Sequence, residues 1–347
     1  VLGLPTLVLN LFSQDSHMYS GLGDNSAELA AVMMIAGILG ARLLIRILGT
    51  LMRLRYAVLL VGLYVLAQGV WSQRLDGFTP VGAAYQRPVI GMHQKLENHF
   101  VNLIPAGVPV STQDELDPHL SSRRYLYLFE DTGQPPAFPN TIYVLLDVSR
   151  PTYPLPSYQL HDQAQSMLQR GWGIQAASDG LILLRKGAPA GPPPAAFYSY
   201  AYAGNTRISH RLHGESNGLA VLGYNLQRTD QPNYATPPVA YTLYLRPTKT
   251  LTRDMQPVVF EIADKQVIDC GRNALGLAWL PTSAWIRGRA YAVRLAPMEI
   301  RRNVPGPVSF QLAMISMAAA NSPAMSCGNL WQHRGSVYPL GAVNPQF

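Results

Sequence analysis

Asp147 closes the apolar string TIYVLLDV, and a carboxylate at the end of a buried strand stands where α/β sheets place ligand-binding residues. Strand-end aspartates also cap the loop that follows, and that structural role weighs more here. In DPHLSSRR, His119 is placed to shuttle a proton or to hold a phosphate together with Arg123 and Arg124. Nothing near it completes a set of nucleophile, base and orienting group, so a capped turn with paired arginines is the favoured account. Asp24 and Glu28 precede a long apolar run, where they either contact a polar head group or simply set its orientation. Trp279, Trp285 and Trp331 offer rings that stack on sugars or fill a core, the second being favoured. The eight histidines include no HExxH, and His93 and His99, six apart, suit neither one helical face nor a zinc pair. With no glycine-rich phosphate loop either, the residues point to no metal, no cofactor and no catalytic constellation.

The elements that carry these residues divide sharply by composition. Over 347 residues the mean hydropathy is only +0.05, yet 27–72 is strongly apolar. The segment 27–48 has 22 residues, roughly 33 Å as a helix, enough to cross a hydrocarbon core of about 30 Å. A second segment, 54–72, carries Tyr56, Tyr64 and Trp71 as interface aromatics. Arg42, Arg46, Arg53 and Arg55 gather at the short connection between them, while Asp15, Asp24 and Glu28 lie on the opposite flank. The positive-inside rule then puts the arginine turn in the cytoplasm, and the loop 13–26 and everything after about residue 73 on the extracytoplasmic side of a cell membrane. Residues 1–12 read as the end of a preceding membrane helix, being too short to span alone. The net charge of +7 does not concentrate in a Lys/Arg face outside that turn, so no nucleic-acid partner is expected. The expected partners are the bilayer and further membrane helices.

Beyond the spans, 85–187 alternates helix and strand signals: a helix over 88–104, strands over 107–111, 125–129 and 141–148, a helix over 157–169, and a hairpin turning at Ser178-Asp179-Gly180. This predicts a small α/β domain with a mainly parallel sheet. The Pro-rich linker 188–196 separates it from 197–347. There, short runs rich in Tyr, Val and Leu between Pro, Gly and Asn turns predict a C-terminal antiparallel β-sandwich of jelly-roll type. The stretch after Ser322 has few strand signals and is expected along the surface or against a partner. The only cysteines, Cys270 and Cys327, fall in this part, and a disulfide is favoured between them on the outer side of a membrane.

The ordered strings LPTLVLNLFS, VPVSTQDELDPHLSSRRYLYLFED, TIYVLLDV and GWGIQAASDGLILLRK resemble the C-terminal part of a bacterial family of predicted polytopic membrane proteins of undefined function. The resemblance covers about 1–187. That family looks related to the GT-C glycosyltransferases, which use lipid-linked sugars and carry a catalytic carboxylate in an early extracytoplasmic loop with no counterpart in this sequence. Where the family has a His-Tyr pair before a membrane helix, Asp24-Asn25 stands here. The order of strands around Pro281, Thr282 and Trp285 resembles β-sandwich modules appended to bacterial membrane glycosyltransferases. The resemblance implies a portion without catalysis of its own that positions an acceptor, a glycan or a lipid-linked sugar. The alternative is a non-enzymatic accessory or scaffold subunit of a larger membrane complex.

Overall fold

The computed structural model describes residues 12, 27–77, 79–82, 85, 90–130, 140–228, 238–298 and 307–343. The chain divides into two compact units, 1–89 with 230–237, and 90–229 with 238–347.

In the first unit, helix α1 (Ala27–Leu51) and helix α2 (Leu54–Asp76) are joined by Met52 and Arg53 alone. Each contains 22 residues, 30–51 and 54–75, long and apolar enough to cross a membrane. Ala57 and Val61 of α2 are buried, whereas Ile35, Leu39, Leu43, Leu59, Leu63 and Leu66 are open. An apolar surface so extensive has no favourable solvent in water, and in lipid it costs nothing. Helix α1 runs past the expected 48 to Leu51, and α2 runs past the expected 72 to Asp76 through Arg74, whose long stem lets the charge leave the apolar zone.

The second unit begins with helix α3 (Met92–Asn102), then strand β1 (Val110–Thr112), a 3-10 turn at Asp114–Leu116, the short helix α4 (Asp117–Leu120) and strands β2 (Leu126–Leu128) and β3 (Tyr143–Asp147). Helix α5 (Ser157–Gln169), β4 (Trp172–Ser178) and β5 (Leu181–Lys186) complete one sheet of order β2-β1-β3-β5-β4. The sheet is mixed rather than mainly parallel: β1 runs parallel to β2 and β3, but β5 is antiparallel to both β3 and β4. The cause is local. Asp179 and Gly180 both take positive φ, 47° and 84°, the conformation of a two-residue hairpin turn, and β5 then enters the sheet reversed. All five residues of β3 are buried because both faces are covered. Val144 and Leu146 pack with Leu160, Ala164 and Met167 of α5, while Tyr143 and Leu145 pack with Phe100, Leu116 and Leu120 on the other side.

The chain then makes a 3-10 turn, Ala195–Ala201, whose Phe197 is buried in the α5-side core. Strands β6 (His210–Ser216), β7 (Leu219–Arg228), β8 (Val239–Pro247), β9 (Met255–Ala263), β10 (Gln266–Gly271), β11 (Ala274–Leu275), β12 (Tyr291–Leu295) and β13 (Val308–Ser316) follow. Helix α6 (Met317–Ala320), helix α7 (Cys327–Gln332) and β14 (Val337–Val343) end the described chain. These strands make two antiparallel sheets, β11-β12-β8-β7-β6 and β10-β9-β13-β14. Tyr241, Leu243, Tyr291 and Val293 from the first and Val259, Phe310, Leu312 and Met314 from the second belong to one hydrophobic cluster. The tail departs from expectation: β14 pairs with β13 along its length and buries Leu340 instead of lying on the surface. Cys270 of β10 and Cys327 of α7 are bonded, S–S 2.05 Å, over a separation of 57 residues.

Candidate functional site

The first turn of α3, the end of β3 and the β4–β5 turn bring a set of charged side chains together. Asp147 is fully buried at the carboxyl end of β3. Its Oδ1 accepts from the Ser149 amide (3.0 Å) and hydroxyl (2.7 Å), and its backbone is pinned by Gln113, which accepts from the Asp147 amide (2.9 Å) and donates to its carbonyl (3.0 Å). That leaves Oδ2 aimed outward, where it accepts from Nε2 of His93 at 2.7 Å. The other ring nitrogen, Nδ1, donates to Oδ2 of Asp179 at 3.1 Å, and Asp179 in turn accepts from the Ser199 hydroxyl at 2.8 Å. Glu97, one helical turn after His93, is buried, with Oε1 3.7 Å from His93 Nε2 and 3.2 Å from Nη2 of Arg150. Arg150 also lies 3.5 Å from Asp147 and 3.8 Å from Glu115.

The electrostatics follow from these contacts. The hydrogen bonds from His93 to Asp147 and Asp179 raise the imidazole pKa from 6.5 to about 9, against the opposing effects of burial and of Arg150. The same bond holds the Asp179 carboxyl below its usual value. Burial pushes Glu115 up to about 7, with Arg150 pulling it down and Asp147, Glu97 and Asp114 adding repulsion. At neutral pH His93 is therefore an imidazolium with both nitrogens donating. In that state it has no lone pair to act as a base. His93, Glu97 and Asp147 do place one donor atom each within 4.8 Å, the spacing of a metal-binding trio. A guanidinium and an imidazolium already compensate those carboxylates. What the arrangement provides is one oriented cationic donor, the part-exposed Arg150, backed by buried Glu97 and Asp147 and braced by an imidazolium whose two donors are already engaged.

The candidates named from sequence fare unevenly. Asp147 is central to the cluster. His119 is exposed on α4, and Arg124 is exposed and lies over the Tyr125 ring. Arg123 cannot complete a phosphate clamp with them, because its guanidinium donates to the carbonyls of Pro105 (2.6 Å) and Ile104 (2.7 Å) at the end of α3. Trp279 and Trp285, each 6 % exposed, present no face to a sugar. Trp279 packs edge-on against Phe197 and His161, and Trp285 stacks on Tyr291 while donating to the Leu280 carbonyl. Trp331 packs edge-on against Phe260, with the Arg334 guanidinium 3.6 Å from its ring centre. Asp24 lies outside the described residues. Glu28 falls within α1, with its side chain outside them.

A family of predicted membrane proteins, DUF2079, matches residues 1–183. The chain belongs to this family. The match spans α1, α2 and every charged member of the cluster from His93 to Asp179, while Ser199 and strands β6–β14 lie beyond it. No curated protein and no solved structure matches the chain. Within this family segment, sequence reasoning missed His93, Glu97, Arg150 and Asp179. The available signal was the spacing of His93 and Glu97, which puts both on one helical face. Their partners come from 54 and 86 residues further on, a distance that no local pattern reports.

Proposed function

We propose that this chain is the membrane-anchored, extracytoplasmic portion of a GT-C-like glycosyltransferase-related protein, which positions a sugar-bearing acceptor or lipid-linked sugar and does not catalyse transfer alone. The observation that carries this reading is His93 clamped between Asp147 and Asp179 beside Arg150. Buried Glu97 and Asp147 hold the Arg150 guanidinium in a fixed direction, from which its remaining N–H groups can orient hydroxyl and phosphate oxygens through charge-assisted hydrogen bonds, while His93, with both nitrogens engaged, braces the carboxylates. A protonated ring with both nitrogens engaged suits orientation rather than acid–base chemistry. Family membership and the two apolar helices support the membrane anchor. The arginine turn between them supports the sidedness, and the two sheets around one core support a β-sandwich appended to the family segment.

The test uses the full chain in lipid nanodiscs with a polyprenyl-phosphate-linked sugar. Binding is expected, weakened about ten-fold by Arg150→Gln through the loss of one charge-assisted hydrogen bond, and weakened by His93→Gln through the loss of the brace on Asp147. No sugar should pass to an acceptor. Transfer by the chain alone, or absence of binding by the folded wild type, overturns the reading. The accessory-subunit alternative draws on α1, none of whose apolar window is buried. It predicts a stable complex with other membrane helices in mild detergent and no lipid-linked sugar binding.

A further inference from the structure

The loops at one end of the two antiparallel sheets enclose a second polar site, away from the charged cluster. The β8–β9 loop, the end of β13 and the segment after α7 line a cavity of about 520 Å³. Lys249, Arg253 and Arg334, all exposed, supply three cations to its wall, with His333 beside them. Asn217, Thr250, Thr252 and Ser316 add neutral hydrogen-bonding groups, and no carboxylate appears in the lining. Among the described residues, none of the three cations has an ion-pair partner. The acid that follows Arg253 in sequence, Asp254, accepts from the Ser283 amide at 2.8 Å, and Glu215 accepts from the Thr248 hydroxyl at 2.7 Å.

Two of these cations are positioned before any ligand arrives. Gly218 has φ +84°, and a Cβ there would fall 2.5 Å from Cε and 2.8 Å from Cγ of Lys249, so the lysine stem lies flat across a glycine that must stay a glycine. Arg334 rests on the Trp331 ring, which restrains the guanidinium without consuming its charge. An unpaired cation group in a concave site is a standing attraction for an anion.

A second cavity, about 510 Å³, adjoins the first through Arg253 and Ser316, which line both. Its remaining wall brings together Tyr158, His161 and Asp162 of α5 with Asp254 and Asn321. Its character changes accordingly, from a wall whose only charges are cationic to one with two carboxylates and an aromatic edge. Each cavity lies within the range of about 300–1,000 Å³ that holds small ligands. A ligand that spans both needs an anionic group at one end and neutral, hydroxyl-rich, partly apolar units at the other.

We infer that the paired cavities form a groove for a short anionic oligosaccharide, with its carboxylate or phosphate at Lys249, Arg253 and Arg334 and its neutral rings toward Tyr158 and His161. This rests on the glycan-positioning reading and narrows it to acidic glycans held by the β-rich part of the chain.

The probes are an aldotriouronic acid (one glucuronate on two neutral xylose units), the neutral xylotriose, inorganic phosphate and phosphatidylglycerol vesicles, titrated against the full chain in uncharged-lipid nanodiscs. The aldotriouronic acid should bind, Lys249→Gln/Arg253→Gln should weaken it about ten-fold or more, and xylotriose should bind far less. Gly218→Ala serves as a second perturbation, displacing the lysine without removing its charge. Melting curves confirm that each variant stays folded. His93→Gln should leave binding of the aldotriouronic acid unchanged while weakening the lipid-linked sugar, so the two sites fail separately. Equal binding of inorganic phosphate and the aldotriouronic acid, binding of vesicles alone, or no effect of Lys249→Gln/Arg253→Gln on a folded chain would each overturn the groove.

Discussion

His93 holds its proton more tightly in the folded chain than in the unfolded one, and the consequence is a pH-dependent fold. With a folded pKa of about 9 against 6.5, its contribution to stability is complete below 6.5 and is lost as the pH rises through about 9. Glu115 acts in the same sense at lower pH: raised from 4.5 to about 7, its contribution is complete below 4.5 and gone once the pH passes about 7. Asp179, held below its usual value, works oppositely, supporting the fold above 3.8 and withdrawing that support only in acid. Thermal melts from about pH 6 to about 9.5 should therefore show the wild type losing Tm, and His93→Gln starting lower but changing less. Parallel slopes for the two proteins would exclude His93 as the titrating group. Asp147 is the stronger test of the cluster as a unit. Asp147→Ala leaves Arg150, His93 and the Ser149 amide without their common buried acceptor, and should cost about 3 kcal/mol in chemical denaturation. A cost below about 0.5 kcal/mol would mean that the carboxylate is exchanged for water without penalty.

At the scale of elements, the hairpin of β4 and β5 both turns the sheet antiparallel and delivers Asp179 to His93. A Cβ on Gly180, at φ +84°, would fall 2.8 Å from Cβ of Ser149, the residue that fixes Asp147. Gly180→Ala should thus destabilise by more than about 1 kcal/mol and lower the His93 pKa, read by NMR titration of the imidazole; an unchanged pKa would separate the turn from the cluster. Elements defined by local pattern were legible in the sequence. The helix over 157–169 coincides with α5, bracketed by Pro156 and Gly171, and the unbroken apolar run 141–148 contains β3. Elements defined by distant partners were not. The stretch after Ser322 carries few strand signals, with Pro339 and Gly341 inside VYPLGAV, yet β14 forms by pairing on β13, with Gly341 at φ 104° where the register shifts. The turn residues Asp179 and Gly180 make the hairpin legible, and the mainly parallel sheet fails because that hairpin's second strand, β5, is the one that pairs with β3. The same logic explains the tryptophans: aromatic composition does not say which side of a surface a ring lies on. Trp279, carried by the β-rich segment, fills the α5-side core with Phe197, and Trp279→Ala should cost about 3–5 kcal/mol and loosen α5 in hydrogen exchange. Unaltered protection of α5 would show that this ring does not couple the two regions.

For the molecule as a whole, two separate chemistries bear on which side of the membrane the folded part occupies. Arg42, Arg46, Arg53 and Arg55 cluster around the two-residue break between α1 and α2, and the extracytoplasmic placement proposed above requires cytoplasmic retention of that charge. The bond between Cys270 and Cys327 independently suits an oxidising compartment, where it closes a loop of 57 residues and contributes about 2–4 kcal/mol. These two arguments share no residue and agree. Replacing all four arginines with glutamine should remove the charge bias and give a mixed population of orientations, in which only the outward-facing fraction carries the disulfide. Protease added outside intact spheroplasts should then digest all of the wild-type chain beyond α2 but only part of the variant. Alkylation without reductant should find free Cys270 and Cys327 in the protected fraction alone. Complete protection of the wild type from external protease, or a disulfide that forms equally in both fractions, would place the folded part on the cytoplasmic side and remove the basis for assigning it extracytoplasmic glycans.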